Sequence, residues 1–129
     1  DLCLRVTSAL FEAARLMNYK RLPELFCGFP RVYKKQDPPV MYPVACSPQA
    51  WAAASVFLLI QSIINVYPDA QCNELRIKNP IIPNWLDYLR IDNIRIGNSY
   101  VDTEFRKTLG GLVIDILNKR GNIDIIIYK

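Results

Sequence analysis

The stretch SPQAWAAASVFLLIQSIINVYPDAQCNELRIK, residues 47–78, contains the change of rhythm that decides the fold. Its first part is apolar on nearly every side: Trp51, Ala52, Ala53, Ala54, Val56, Phe57, Leu58, Leu59, Ile60, Ile63 and Ile64. Ser47 is placed to cap the free amides of a helix, and Pro48 suits a first turn, where its missing N–H costs nothing. The helix is therefore expected to run from Ser47-Pro48 to about Asn65. A helix apolar all round has to be buried by neighbours on every side. After Pro68 the period falls from 3.6 to two, with Leu75 and Ile77 alternating with Arg76 and Lys78.

The period of two persists to the end. Leu89 and Ile91 alternate with Arg90 and Asp92, Ile94 and Ile96 flank Arg95, Ile114 and Ile116 flank Asp115, and Ile123, Ile125 and Ile127 close the chain. Turn signals stand between these runs at Asn79-Pro80, Gly97-Asn98, Gly110-Gly111 and Gly121-Asn122. The pattern predicts five or six antiparallel strands with one apolar face and one solvated face. The arginines belong to the solvated face.

Towards the start, Leu10, Ala13, Ala14 and Met17 recur at helical spacing, which predicts a helix over about Leu4 to Met17. Pro23, Pro30, Pro38, Pro39 and Pro43 prevent it from continuing. A loop of this length in a compact domain is usually functional when it is ordered. The expected class is α+β. A helical pair with its loop occupies 1–72, and a small antiparallel β-module occupies 73–129. No internal repeat or low-complexity segment interrupts them.

Composition narrows the chemistry. With 129 residues, 51% of them hydrophobic and 22% charged, the chain is too apolar for intrinsic disorder and suits one domain or one piece of a larger enzyme. Its formal charge of +4 is spread out, so nucleic acid is not indicated. There is no histidine, which removes Ser-His-Asp and Cys-His triads and every imidazole zinc site. Cys3, Cys27, Cys46 and Cys72 form no close pair, so a metal site is not expected, and free thiols in a reducing cytoplasm are. The longest apolar run, Ala50 to Ile64, is shorter than the ~20 residues that cross a bilayer. Asp1 opens no signal peptide and begins inside a helical pattern, as expected of a chain cut from something longer.

The candidate chemistry sits in the loop. Glu24 is a lone carboxylate among Leu22, Leu25, Phe26 and Phe29, a setting that suits general acid–base work. Phe29, Tyr42 and Trp51 offer flat faces to a sugar ring, and Arg21, Ser47 and Gln49 offer polar atoms for its hydroxyls. The competing readings are plainer. Glu24 would be solvated or paired with Arg21 or Arg31, and Trp51 would be core.

Leu22-Pro23-Glu24-Leu25-Phe26 with Gly28-Phe29-Pro30, followed by Pro43-Val44-Ala45-Cys46-Ser47-Pro48-Gln49-Ala50-Trp51-Ala52-Ala53, resembles the amylo-α-1,6-glucosidase (glycogen-debranching-enzyme-like) glycoside hydrolases. More weakly, Asn79-Pro80, Pro83-Asn84-Trp85-Leu86 and Leu89-Arg90-Ile91 are similar to the β-rich tail of such enzymes. The resemblance covers most of the chain. It implies that 1–72 are the last helices and active-site loop of an (α/α)6 toroid, with an α-glucan or oligosaccharide as substrate and no cofactor. It makes Glu24 the general base of an inverting hydrolysis and sets Arg21, Phe29, Tyr42, Ser47, Gln49 and Trp51 near the sugar. The general acid and most of the toroid are expected upstream, so the chain alone is expected to be inactive. The alternative is a non-catalytic interaction or carbohydrate-binding module that self-associates through apolar helix faces.

Overall fold

The computed structural model describes residues 2–30 and 37–128. The chain is α+β. Helix α1 spans Leu2–Leu16 and α2 Ala50–Ile64; six strands follow, β1 Val66–Asp69, β2 Glu74–Lys78, β3 Tyr88–Ile96, β4 Ser99–Thr108, β5 Gly111–Arg120 and β6 Asp124–Tyr128. Two compact units meet within α2, Asp1–Ile60 and Gln61–Lys129. The last turn of α2 and strand β1 thus group with the β-module, twelve residues ahead of the boundary expected after residue 72.

In the first unit the helical spacing of α1 brings Ala13 and Ala14 to one side, where they bury with Leu22. Leu10, Phe26, Ala52 and Val56 pack against that cluster. Helix α1 stops where Met17 takes extended backbone (φ −91°, ψ 159°), and beyond it Tyr19 (φ 57°) and Lys20 (φ 55°) are left-handed. The Lys20 ammonium donates to the Arg15 carbonyl at 2.7 Å, satisfying a terminal acceptor where the helix dipole favours a cation.

Helix α2 departs from expectation twice. It starts at Ala50, so Ser47 and Pro48 lie outside it, and Gln49 takes the capping position. The Gln49 carbonyl accepts from the Ala53 amide at 2.9 Å. Its side-chain oxygen accepts from the Ala50 amide at 2.7 Å. Nor is α2 buried on all sides. Trp51, Phe57 and Leu58 are 82%, 75% and 64% exposed. Within the first unit the apolar cluster meets α2 at Ala52 and Val56, on one side of it.

The second unit carries two three-stranded sheets, ordered β1-β2-β6 and β3-β4-β5. The β3-β4-β5 sheet is a meander whose reversals use glycine in left-handed backbone, Gly97 at φ 58° and Gly111 at φ 116°. In the other sheet β2 runs antiparallel to β1 but parallel to β6, a correction to the all-antiparallel expectation. The cause is connectivity. The whole meander lies between β2 and β6, and such a long crossover lets β6 return in the same direction as β2. Leu75, Ile77, Val101 and Phe105 are completely buried, with Ile96 and Ile123 close to it.

The arginines of the strands do occupy a solvated face. Arg76 bonds Glu74 at 2.7 Å, Arg90 bonds Asp92 at 2.8 Å, and Arg106 bonds Asp115 at 2.7 Å. Exposed pairs like these contribute little to stability, ~0–1 kcal/mol each.

Candidate functional site

The prolines that interrupt helix formation between 18 and 47 leave two extended arms, and the described parts of these arms lie side by side. Phe26 and Met41 form an isolated antiparallel bridge. The Cys27 amide donates to the Val40 carbonyl at 2.9 Å. Further along, the Glu24 amide donates to the Cys46 carbonyl at 2.9 Å, and the Gln49 amide to the Leu22 carbonyl at 3.2 Å. The two segments that carry the family resemblance are therefore laced together by their backbones. This is how local sequence positions Glu24 next to Ser47 and Gln49, which are more than twenty residues away along the chain.

Glu24 itself is exposed. Its Oε2 accepts the Cys46 amide at 3.1 Å, so residues 24 and 46 form a reciprocal pair of one backbone and one side-chain hydrogen bond. The carboxylate is thus held in a fixed direction by the opposite arm. Among the described residues Oε1 accepts no hydrogen bond, and Glu24 enters no ion pair; Arg31, an expected partner, lies outside the described residues. The neighbouring Pro23 and Leu22 are buried while Leu25 is half exposed, so the apolar residues anchor the arm and do not enclose the carboxylate.

The aromatic candidates are open to solvent, with Phe29 70%, Tyr42 45% and Trp51 82% exposed. Trp51 is consequently not core. The Tyr42 carbonyl receives the Ala45 amide at 3.0 Å, forming a tight turn just before Cys46. Ser47 is exposed and Gln49 half-buried, with its side chain engaged at the start of α2. Arg21, with Tyr19 and Lys20, lines a cleft of about 460 Å³ against Ala53, Ala54, Val56 and Phe57 of α2.

Reading residue types did not single out Cys46, whose main chain orients Glu24. No side-chain signal exists for such a role, because the amide and carbonyl do the work and any residue supplies them. Among the described residues no three cysteine or carboxylate side chains gather where they could hold a metal ion. No helix there is long and apolar enough to cross a membrane. All four cysteines are free thiols.

The arrangement offers an oriented carboxylate and a half-buried amide on the loop arms, with exposed aromatic faces on the loop at Phe29 and Tyr42 and on the first turn of α2 at Trp51. No protein-family model, no curated protein and no solved structure matches this chain.

Proposed function

We propose that this chain is the C-terminal part of an α-glucan glycoside hydrolase of the debranching kind, and that Glu24 is the general base of an inverting reaction. One observation supports this above the rest: the Cys46 amide holds one carboxylate oxygen of Glu24, and among the described residues Oε1 accepts no hydrogen bond, which suits it to accept a proton. In the proposed reaction Oε1 takes a proton from water as that water attacks the anomeric carbon. A second carboxylic acid, from upstream of this chain, protonates the departing oxygen at a carboxyl separation of ~6.5–9.5 Å. Trp51, Phe29 and Tyr42 stack against sugar rings, and Ser47 and Gln49 orient hydroxyls. The four free thiols are in keeping with a cytoplasmic enzyme.

A second reading rests on the exposure of Trp51, Phe57 and Phe29. These aromatic faces also suit a non-catalytic module that binds carbohydrate or another protein. Product stereochemistry separates the two. The full-length gene product, given a branched maltooligosaccharide and followed by proton NMR, is expected to release the β-anomer of glucose first. Release of the α-anomer would contradict the inverting assignment. Saturable sugar binding with no hydrolysis would favour the binding module.

A further inference from the structure

The two outer edges of the β1-β2-β6 sheet are not equivalent. In an antiparallel pair, alternate residues direct their main-chain groups outward. The Lys78 amide donates to the Asn65 carbonyl, so Asn65, Tyr67 and Asp69 face β2, and Val66 and Pro68 face the outer edge. That edge is closed to further pairing. Pro68 has no N–H, and the Val66 carbonyl already accepts from the Gln61 side chain at 3.2 Å.

The β6 edge carries no such protection. The Asp124 amide donates to the Asn73 carbonyl and the Tyr128 carbonyl accepts the Asn79 amide, both at 2.9 Å. Asp124, Ile126 and Tyr128 therefore face β2, and the main-chain N–H and C=O groups of Ile125 and Ile127 face outward. No hydrogen bond from another described residue reaches them. Ile125 and Ile127 pair with Leu75 and Ile77, so their side chains lie on the same face as two completely buried residues. Even so, Ile127 is 38% exposed whereas its partner Ile77 is not exposed at all. The apolar face runs on to the edge and stops there uncovered.

We propose that β6 is a docking edge for a second copy of this chain, the two β6 strands pairing antiparallel about Ile126. Register, charge and edge asymmetry select this occupant. With Ile126 opposite its own copy, Ile125 lies opposite Ile127 of the partner subunit, and every outward donor and acceptor of the two strands meets a complement. The same register extends the apolar face across the two-fold axis. On the solvated face it sets Asp124 opposite a tyrosine, whereas parallel in-register pairing would set Asp124 against its own copy. Because the β1 edge is blocked, the assembly closes at two copies and does not grow into a fibre.

The test is sedimentation velocity of the purified protein over a hundredfold concentration range, with far-UV circular dichroism to monitor folding. A monomer–dimer equilibrium is expected. Ile127→Pro removes an outward N–H that the internal ladder does not use, and is expected to weaken dimerisation about tenfold or more with the fold retained. Ile127→Val is expected to keep the dimer. A wild-type protein that stays monomeric throughout, or a dimer unaffected by Ile127→Pro, would overturn the proposal; fibres or higher oligomers would overturn the closed pair. If Ile127→Pro does not fold, hydrogen exchange in the wild type decides. The Ile125 and Ile127 amides are expected to become protected as concentration rises, and protection independent of concentration would refute pairing between copies. A dimer broken by Phe57→Glu but not by the β6 variants would assign the interface to α2 and refute the proposal.

Discussion

The two units solve the burial problem differently. In Gln61–Lys129 the sheets enclose a core in which Leu75, Ile77, Val101 and Phe105 lose all contact with solvent. In Asp1–Ile60 the central cluster is Ala13, Ala14 and Leu22, while Trp51, Phe57, Leu2 and Phe29 stand open. The β-module buries large apolar residues completely in its interior, although Trp85, Tyr88 and Leu109 stand open on its surface. The helical unit buries Ala13, Ala14, Met17 and Leu22 and holds its largest aromatic residues at the surface, and backbone hydrogen bonds join the arms of its loop. The most completely buried large apolar residues and the most open helix face thus lie in different halves of the sequence.

The largest expected effect probes the core of the β-module. Phe105→Ala removes a completely buried ring and is expected to cost ~3–5 kcal/mol in urea unfolding followed by circular dichroism. A cost below 1 kcal/mol would mean that this unit is no better packed than its neighbour. Next comes Gly121, at φ 89°, where an added Cβ would collide with the Ser99 hydroxyl and lie 3.0 Å from the Ser99 Cα. Gly121→Ala is expected to cost ~1–3 kcal/mol, through crowding and through backbone that alanine resists. Gly28→Ala, which meets nothing within 4 Å, is expected to change stability little and serves as the contrast from the helical unit.

A pH titration sharpens the comparison further. The Asn93 amide, which donates to Asp102 at 2.7 Å, holds that carboxyl below the ordinary aspartate value, and the Asn118 side chain adds to the effect. A lowered folded-state pKa means that the ionised form stabilises the fold. That contribution is present above the unfolded value of ~3.9 and is lost as pH falls through the lower folded value. Acid unfolding of the β-module is expected to ease in Asp102→Asn, in that the variant loses less stability between neutral pH and the acid range than wild type. An unchanged acid limb would remove Asp102 from the explanation. The smallest effect is expected on the open face of α2, where Phe57→Ser should alter stability by no more than ~0.5 kcal/mol. A large loss there would show that Phe57 is covered in solution.

Much of this contrast was legible in the residues. The shift from period 3.6 to period two marked the change from helix to strand, and Gly97-Asn98, Gly110-Gly111 and Gly121-Asn122 marked turns. Strand β4 was harder to see. Its buried side alternates Ser99 and Thr103 with Val101 and Phe105, and the hydroxyls are tolerated because Ser99 bonds the Asn122 carbonyl and Thr103 the Asp115 carbonyl. Parallel pairing of β2 with β6 leaves no local trace, since it depends on where the chain returns after the meander. In the loop, Glu24 could be picked out as a lone carboxylate, yet its orientation by Cys46 belongs to main-chain atoms that carry no residue signature. The exposure of Trp51 was hidden for a related reason. Helical spacing shows that a face is apolar, not whether anything covers it.

In the proposed reaction a carboxylate held by the opposite loop arm acts as a base. The most direct test is hydrolysis of a branched α-glucan by the full-length gene product and by its Glu24→Gln variant, with sugar binding measured in parallel. A fall in kcat of ~10²–10⁴-fold is expected with binding largely retained, because the amide keeps the side chain's shape but cannot take a proton. Hydrolysis at the wild-type rate by Glu24→Gln would contradict Glu24 as the base.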